Sequence, residues 1–220
     1  ALKGINKYLQ RPAFIWWNFP VTDYVRHALF LGRTYGVDAD AMPFMQGFAS
    51  NPMDKPEASK VSLFGLADYT WNINGFKSEE SWKEGVKRLF PQAAEAMQVF
   101  VNHNSDQGRV LEAAREGKVA KADTALLKKE FARMAAAAPV IRAKADNPRL
   151  MKEIGAWVDA FEQLGHAGQH AVAALEENNT RDAVTQLVQA TQALAAMDGI
   201  SRRHNQEGQL YRSVVKTGSR

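Results

Sequence analysis

Between about residues 122 and 204, apolar side chains recur mostly three or four residues apart through three long runs, and this feature most restricts the fold. The first run, about Ala122 to Lys144, carries Leu126, Leu127, Phe131, Met134, Ala138 and Ile141 on one stripe. The second, about Pro148 to Glu177, carries Leu150, Ile154, Trp157, Phe161, Leu164, Ala171 and Leu175, broken by the small pair Ala167 and Gly168. The third, Thr180 to about His204, carries Val184, Leu187, Ala190, Leu194, Met197 and Ile200. The separators ADNP (145–148) and ENNT (177–180) stop one helix and start the next, with Asn147 and Thr180 placed as N-caps. Links this short force antiparallel neighbours, so the spacing predicts an up-down-up helical bundle. Trp157 and Phe161 fall on the stripe and read as core.

The first 75 residues have a different texture. In PAFIWWNFPVTDYV (12–25), the run Phe14, Ile15, Trp16, Trp17 is bounded by Pro12 and by Asn18–Pro20, the pattern of a short strand buried on both faces. A second candidate, Met45 to Ser50 (MQGFAS), is followed by Asn51 and Pro52 and then by a helical pattern from about Glu57 to Trp71. Two strands that each end in Asn and a proline and lead towards helix read as consecutive units of a β/α barrel or of a doubly wound sheet. Between them, Tyr24 to Tyr35 suits a short helix or an ordered loop, and Gly36 to Asp40 a turn. Further helices are expected at about Glu79 to Phe90 and Pro91 to Asn102, the latter with Pro91 in its first turn, before a loop at 101–109 (VNHNSDQGR). The chain thus divides at 1–75, 76–118 and 119–220, with two small domains expected overall.

Charge and composition exclude several partners. The 28 basic and 24 acidic residues leave a formal charge of +4 that is scattered, with no basic block interleaved with aromatics, which argues against nucleic acid. The lack of cysteine removes disulfides and thiolate metal sites but leaves the compartment open, secreted or periplasmic being favoured over cytoplasmic. No stretch reaches the ~20 apolar residues of a membrane span, and ALKGINKYLQ (1–10) has no apolar signal core, so any export signal is expected upstream of Ala1.

In parallel α/β architectures the loops after the C-terminal strand ends form the active-site face. Asn18, Asp23, Tyr24 and Asn51 hold that position, with Trp16 two places before Asn18 on the same strand face. An aromatic wall beside a carboxylate and two amides suits a sugar, whose ring face stacks on indole while its hydroxyls take charged or amide partners. The bland alternative is a buried core strand followed by an ordinary Asn-Pro turn. Elsewhere, His103 reads as a loop-capping residue, with no second His or carboxylate at ligand spacing. His166 and His170 form an i,i+4 pair with Glu162 one turn before, yet no HExxH pattern surrounds them, and bundle packing is the simpler reading than metal. Arg202, Arg203, Arg212 and Lys216 give the tail a basic, solvated character.

IWWNFPVTDYVR, LFLGRTYG (29–36), GFASNPMDKPEASK (47–60) and LADYTWN (66–72) together resemble the C-terminal part of the catalytic barrel of glycoside hydrolase family 84, which includes O-GlcNAcase and bacterial β-N-acetylglucosaminidases once called hyaluronidases. The WWNFP-x-x-DY and NPM motifs carry the likeness, which continues more weakly through NHNSD (102–106) to the end of the chain. The resemblance implies a mostly α chain made of the last two βα units of a (β/α)8 barrel followed by an antiparallel helical bundle. It implies hydrolysis of terminal β-linked GlcNAc with retention, through an oxazoline formed by the substrate's own acetamido group, the substrate-assisted exception to the two-carboxylate scheme. In that scheme two consecutive aspartates do the acid/base work. This sequence has no Asp-Asp pair, so no catalytic residue is assigned within it and the pair is expected before Ala1. The residues present would grip the sugar: Asp23 at its O4 and O6 hydroxyls, Asn51 at the ring hydroxyls, Asn18 beside the acetamido-polarising aspartate, Trp16 around the N-acetyl methyl, and Tyr24 on the aglycone side. No cofactor and no metal are implied. The expected partners are a GlcNAc-bearing glycan or glycoprotein, the remainder of the barrel, and a second copy through the helical domain; the alternative is a helical interaction or dimerisation module with no catalysis of its own. Lacking an acid or base, the 220-residue piece alone is expected to be inactive.

Overall fold

The computed structural model describes residues 1–23, 28–34, 39–105 and 124–204. It is mostly helical, with a small two-stranded sheet. The strands β1 (Ala13–Trp17) and β2 (Met45–Ser50) are parallel, Phe14 opposite Gly47 and Trp17 opposite Ser50, with one irregularity between Ala13 and Phe14. A helix the sequence reading leaves unassigned, α1 (Leu2–Leu9), precedes β1. Asn6 fastens it, donating from Nδ2 to the Phe44 carbonyl at 2.7 Å while its Oδ1 accepts from the Ala13 amide at 2.9 Å. Where a turn is expected at 36–40, residues 35–38 lie outside the described residues, and a 3-10 helix spans Ala39–Phe44.

The expectation that β1 is buried on both faces does not hold. Phe14 and Trp16 are 59% and 67% exposed, while Trp17, on the opposite face, is half-buried against Phe19 and Phe48. A parallel strand is covered on both sides only where layers pack on both, and the described residues cover one.

After β2 come α2 (Pro56–Trp71), α3 (Ser78–Leu89) and α4 (Ala94–His103). Pro91 sits in a turn ahead of α4 rather than in its first turn, because the Ala93 amide bonds back to Phe90 and the helix starts only beyond it. The segment 28–34 is an ordered extended loop: the Leu31 amide donates to Asn104 O at 2.8 Å, Trp82 Nε1 to Leu31 O at 2.8 Å and Ser62 Oγ to Gly32 O at 2.7 Å.

Three long helices follow, α5 (Thr124–Lys144), α6 (Pro148–Glu176) and α7 (Thr180–His204), with α6 packed against both others. Their pairings fix direction. Lys128 near the start of α5 meets Glu176 at the end of α6 at 2.7 Å, and Arg142 near the end of α5 meets Asp159 and Glu162 at 2.9 and 2.7 Å. His170 late in α6 bonds Gln186 early in α7 at 2.8 Å. Neighbours are therefore antiparallel. Two glycines let α5 and α6 approach closely: a Cβ on Gly165 would lie 2.6 Å from the Ala135 amide nitrogen, and one on Gly168 would lie 2.2 Å from the Phe131 ring. The small-residue pair at 167–168 is thus a contact surface in an unbroken helix.

Asn147 caps α6, its Oδ1 accepting from the Leu150 amide at 2.9 Å. Thr180 is not the cap expected of it. Asn179 takes that place, its side chain accepting from the Arg181 amide at 2.9 Å, with Thr180 as the first helical residue. Leu126, Leu175, Val184 and Leu187, placed on the apolar stripes, are 51%, 75%, 53% and 52% exposed. They share one end of the three-helix layer, where the start of α5, the end of α6 and the start of α7 meet with no fourth described element across them.

One continuous apolar cluster runs from Leu31 and Met53 through Trp82, Met97 and Phe100 into Ile141, Ile154, Phe161 and Met197. Burying each such side chain stabilises the fold by roughly 1.5–3 kcal/mol. Trp157 and Phe161 are core, as the spacing implies. His103 differs from its loop-capping reading: it is the last residue of α4, half-buried, and its Nε2 lies 2.8 Å from Glu130 Oε1 on α5, a carboxylate 27 residues away in sequence. His166 is exposed and His170 half-buried; among the described residues, no group of three His, Cys, Asp or Glu side chains could hold a metal ion. No helix of the described residues is long and apolar enough to cross a membrane.

Candidate functional site

The ladder between β1 and β2 continues one step past the strands, the Asn51 amide donating to Trp17 O at 2.9 Å, so Asn18 and Asn51 emerge side by side at the C-terminal ends. Trp16 Nε1 donates to Asn18 Oδ1 at 2.8 Å, and Asn51 Nδ2 donates to the same oxygen at 3.2 Å. Three of the five residues singled out from the sequence are therefore one hydrogen-bonded cluster. Because both neighbours are donors, the Asn18 oxygen must face them, which turns its NH2 outward as a donor. By the same accounting Asn51, having spent its NH2 on Asn18, presents its carbonyl oxygen as an acceptor. The cluster thus offers one donor and one acceptor beside an exposed indole.

After Asn18 the chain dives inward. Phe19, Val21 and Thr22 are 5%, 8% and 5% exposed, and Asp23 returns to the surface in a turn. Phe19 stacks on Trp17 with centroids 5.2 Å apart and meets Phe30 edge-on at 5.4 Å, while Ser50 Oγ donates to Phe19 O at 2.6 Å. The peptide bond between Phe19 and Pro20 is cis. This buried loop fixes where Asn18 leaves and Asp23 returns. Asp23 makes no hydrogen bond or ion pair among the described residues, and it is not joined to the cluster; Tyr24 lies outside the described residues.

Sequence reasoning missed the residues that anchor the loop after β2. In the NPM motif, Met53 is buried, its Sδ accepting from the Phe30 amide at 3.3 Å and its own amide donating to Ser59 Oγ at 3.2 Å. Met53 thereby ties the loop after β2 to the loop after β1. Beyond it, Lys55 lies over the Trp157 ring, 5.3 Å from its centroid, and the Glu57 carboxylate accepts from Lys60 Nζ at 2.7 Å and from Asn147 Nδ2 at 2.8 Å. Those two bonds, that of Lys60 first, hold the Glu57 carboxyl below its ordinary value. No local spacing signals a tie between residues 57 and 147; only the tertiary fold makes it. A groove of about 550 Å³ runs past Lys55, Glu153 and Trp157, and another of about 500 Å³ lies between Met45–Phe48 of β2 and Leu63–Ala67 of α2; no residue of the cluster lines either.

Residues 1–102 match the family model of the beta-N-acetylglucosaminidases, and residues 100–220 match that of the bacterial GH84 post-catalytic domain. Among solved structures, CpGH84B superposes with a TM-score of 0.81 at 22% identity over 97% of this chain and 40% of its own. CpGH84D gives 0.77 at 25% identity over 89% and 36%. A mutant O-GlcNAc hydrolase of Thermobaculum terrenum gives 0.72 at 20% identity over 98% and 51%. The chain spans about a third to a half of the length of these structures. With both halves matched in order, the chain belongs to glycoside hydrolase family 84.

Proposed function

We propose that this chain is the C-terminal part of a retaining β-N-acetylglucosaminidase, comprising the end of a (β/α)8 barrel (1–75), connecting helices (76–118) and a helical bundle (119–220). The observation that carries this reading is the Trp16–Asn18–Asn51 cluster at the C-terminal ends of two parallel strands, an aromatic surface with one amide donor and one amide acceptor on an open face. In an open parallel α/β layer that is where ligands bind. A GlcNAc residue asks for such groups: Trp16 against the N-acetyl methyl, the outward NH2 of Asn18 on the aspartate that orients the acetamido group, and the Asn51 oxygen for a ring hydroxyl. Asp23, exposed after the buried loop, accepts from O4 and O6. Tyr24 takes the aglycone side.

The chemistry requires a partner segment. The acetamido oxygen attacks the anomeric carbon while an acid protonates the leaving oxygen, and the oxazoline is then opened by a water activated by the same group. The residues of this chain bind and orient, and the consecutive aspartates belong to the remainder of the barrel. The uncovered face of β1 with Phe14 and Trp16 supports such a remainder as partner. Binding without an acid or base gives no differential stabilisation of the transition state, so the isolated chain should show no turnover.

Replacing Asp23 by Ala in the barrel-containing protein should lower kcat/KM on an aryl N-acetylglucosaminide by about 100-fold or more, the loss expected when a charged partner of a buried hydroxyl, ~2–4 kcal/mol, is removed. Near wild-type turnover would remove Asp23 from the site. A second reading, a helical interaction or dimerisation module, is favoured by the exposed Leu126, Leu175, Val184, Leu187 and Val188 at one end of α5–α7. It predicts self-association that Leu187→Glu abolishes, read by light scattering.

A further inference from the structure

The start of α2 is a helix end without a local cap. Its N-cap is Lys55, whose side chain carries no acceptor and makes no capping bond, and Pro56 at the first position has no N–H. The Ser59 amide closes the first turn on Lys55 O at 2.9 Å, which leaves the amides of Glu57 and Ala58 to be satisfied. Both go to one carboxylate from the other half of the chain: Glu153 Oε1 accepts from Glu57 N at 3.2 Å, and Glu153 Oε2 from Ala58 N at 3.0 Å. A negative group at this end also opposes the positive end of the helix dipole. The neighbouring helix is held in return, since Asn147 caps α6 with its oxygen and gives its NH2 to Glu57 at 2.8 Å.

The first turn of α2 sits five residues beyond Asn51 and is bonded to the loop between them. Ser59 Oγ accepts from the Met53 amide at 3.2 Å and donates to Lys55 O at 2.9 Å. The loop 51–55 is therefore strung between the strand ladder at the Asn51 amide and a helix end whose free amides depend on Glu153. We infer that Glu153, on α6, is a positioning residue for Asn51, so that the helical layer is part of the sugar-binding apparatus and not an appendage to it. This rests on the reading of Asn51 as a sugar ligand.

The test is a kinetic cycle in the barrel-containing protein with an aryl N-acetylglucosaminide. Asn51→Ala and Glu153→Ala are each expected to lower kcat/KM by roughly 10-fold, with Glu153→Gln, which keeps one acceptor, falling between Glu153→Ala and wild type. Because Glu153 acts through Asn51, adding Glu153→Ala to Asn51→Ala should cost less than about twofold more, whereas a residue that only stabilises the fold lowers the unfolding temperature and leaves kcat/KM per folded molecule unchanged. Two losses that multiply, or a Glu153→Ala enzyme within twofold of wild type, overturn the inference while leaving the sugar clamp intact. A silent Asn51→Ala removes the clamp and this inference together. Should Glu153→Ala fail to fold, Glu153→Gln runs the same cycle with a smaller but equally non-additive loss.

Discussion

At the strand pair two of the largest side chains, Phe14 and Trp16, are 59% and 67% exposed, whereas along α6 Ile154, Val158 and Phe161 are wholly buried. Both regions are apolar in sequence, and both have regular backbone. They differ in who covers them. Helix α6 lies between α5 and α7, packs against α2 and meets α4 where Phe161 touches Phe100, so every turn of its apolar stripe except the last finds a neighbour within the chain. Among the described residues, strand β1 has one paired edge and one covered face. Asn18 and Asn51, each with hydrogen-bonding capacity left over, lie on the incompletely covered side, while charges of the helical layer such as Arg142, Asp159 and Glu162 are paired with one another. The closed helical layer and the open strand ends, which the proposed function makes the sugar-binding part, are thus different parts, joined by Glu153, Glu57 and Asn147.

Phe161→Ala tests the closed half and should have the largest effect. The ring is fully buried and meets Phe100 edge-on with centroids 5.3 Å apart, tying α4 to α6. A cavity of that size in a packed core costs about 3–5 kcal/mol. Chemical denaturation should show the midpoint falling with the slope unchanged; a loss below about 1 kcal/mol would mean that the core is looser than its burial indicates.

A smaller effect is expected from acid. The Glu130 carboxyl is held below its ordinary value of 4.5 chiefly by the hydrogen bond from His103, with His103 and Arg133 charges adding to it and partial burial opposing. A carboxyl lowered in the folded state contributes stability that is complete above its unfolded value and is lost as pH falls through the lower folded one. The unfolding temperature should therefore decline as pH drops below about 4.5, and less steeply in Glu130→Gln, which has no charge to lose there. Parallel acid limbs in the two proteins would assign the decline to other carboxyls, of which Glu57 and Glu79 are also lowered.

The helical half was largely legible because the information is local. Apolar spacing placed α5, α6 and α7 within about two residues of their observed ends, and Asn147 announced its own cap. Errors there came from one-residue competition, as between Asn179 and Thr180, and from the end of the layer, where a correct stripe at Leu175 and Val184 runs out of neighbours. In the strand half β1 and β2 were legible from short apolar runs that end in Asn and a proline, and the placing of Trp16, Asn18 and Asn51 at the strand ends followed from period two and parallel order, though not the hydrogen bonds that join them. What did not follow depends on contacts far apart in sequence. Glu153 reaches α2 across 95 residues, His103 reaches Glu130 across 27, and helix α1 is held by hydrogen bonds from Asn6 to two later elements. Nor does an apolar run reveal whether its second face is covered, and that is how β1 misled.

Trp16→Ala makes the smallest demand on stability and the sharpest one on the comparison. Its indole is mostly in solvent, and its only bond, from Nε1 to Asn18 at 2.8 Å, leaves Asn18 Oδ1 still served by Asn51 at 3.2 Å. Exposed side chains away from buried networks change stability by no more than about 0.5 kcal/mol, so this chain should unfold almost as the parent does. In the barrel-containing protein the same substitution removes a wall of the site and one of the two donors that orient the Asn18 amide, and kcat/KM should fall by about 10-fold or more. If instead Trp16→Ala unfolded the chain as readily as Phe161→Ala, the indole would be core and the division between a closed half and an open half would fail. If it changed neither stability nor turnover, the open face would have no claim to the sugar, because an indole that packs on the N-acetyl methyl cannot be removed without weakening that binding.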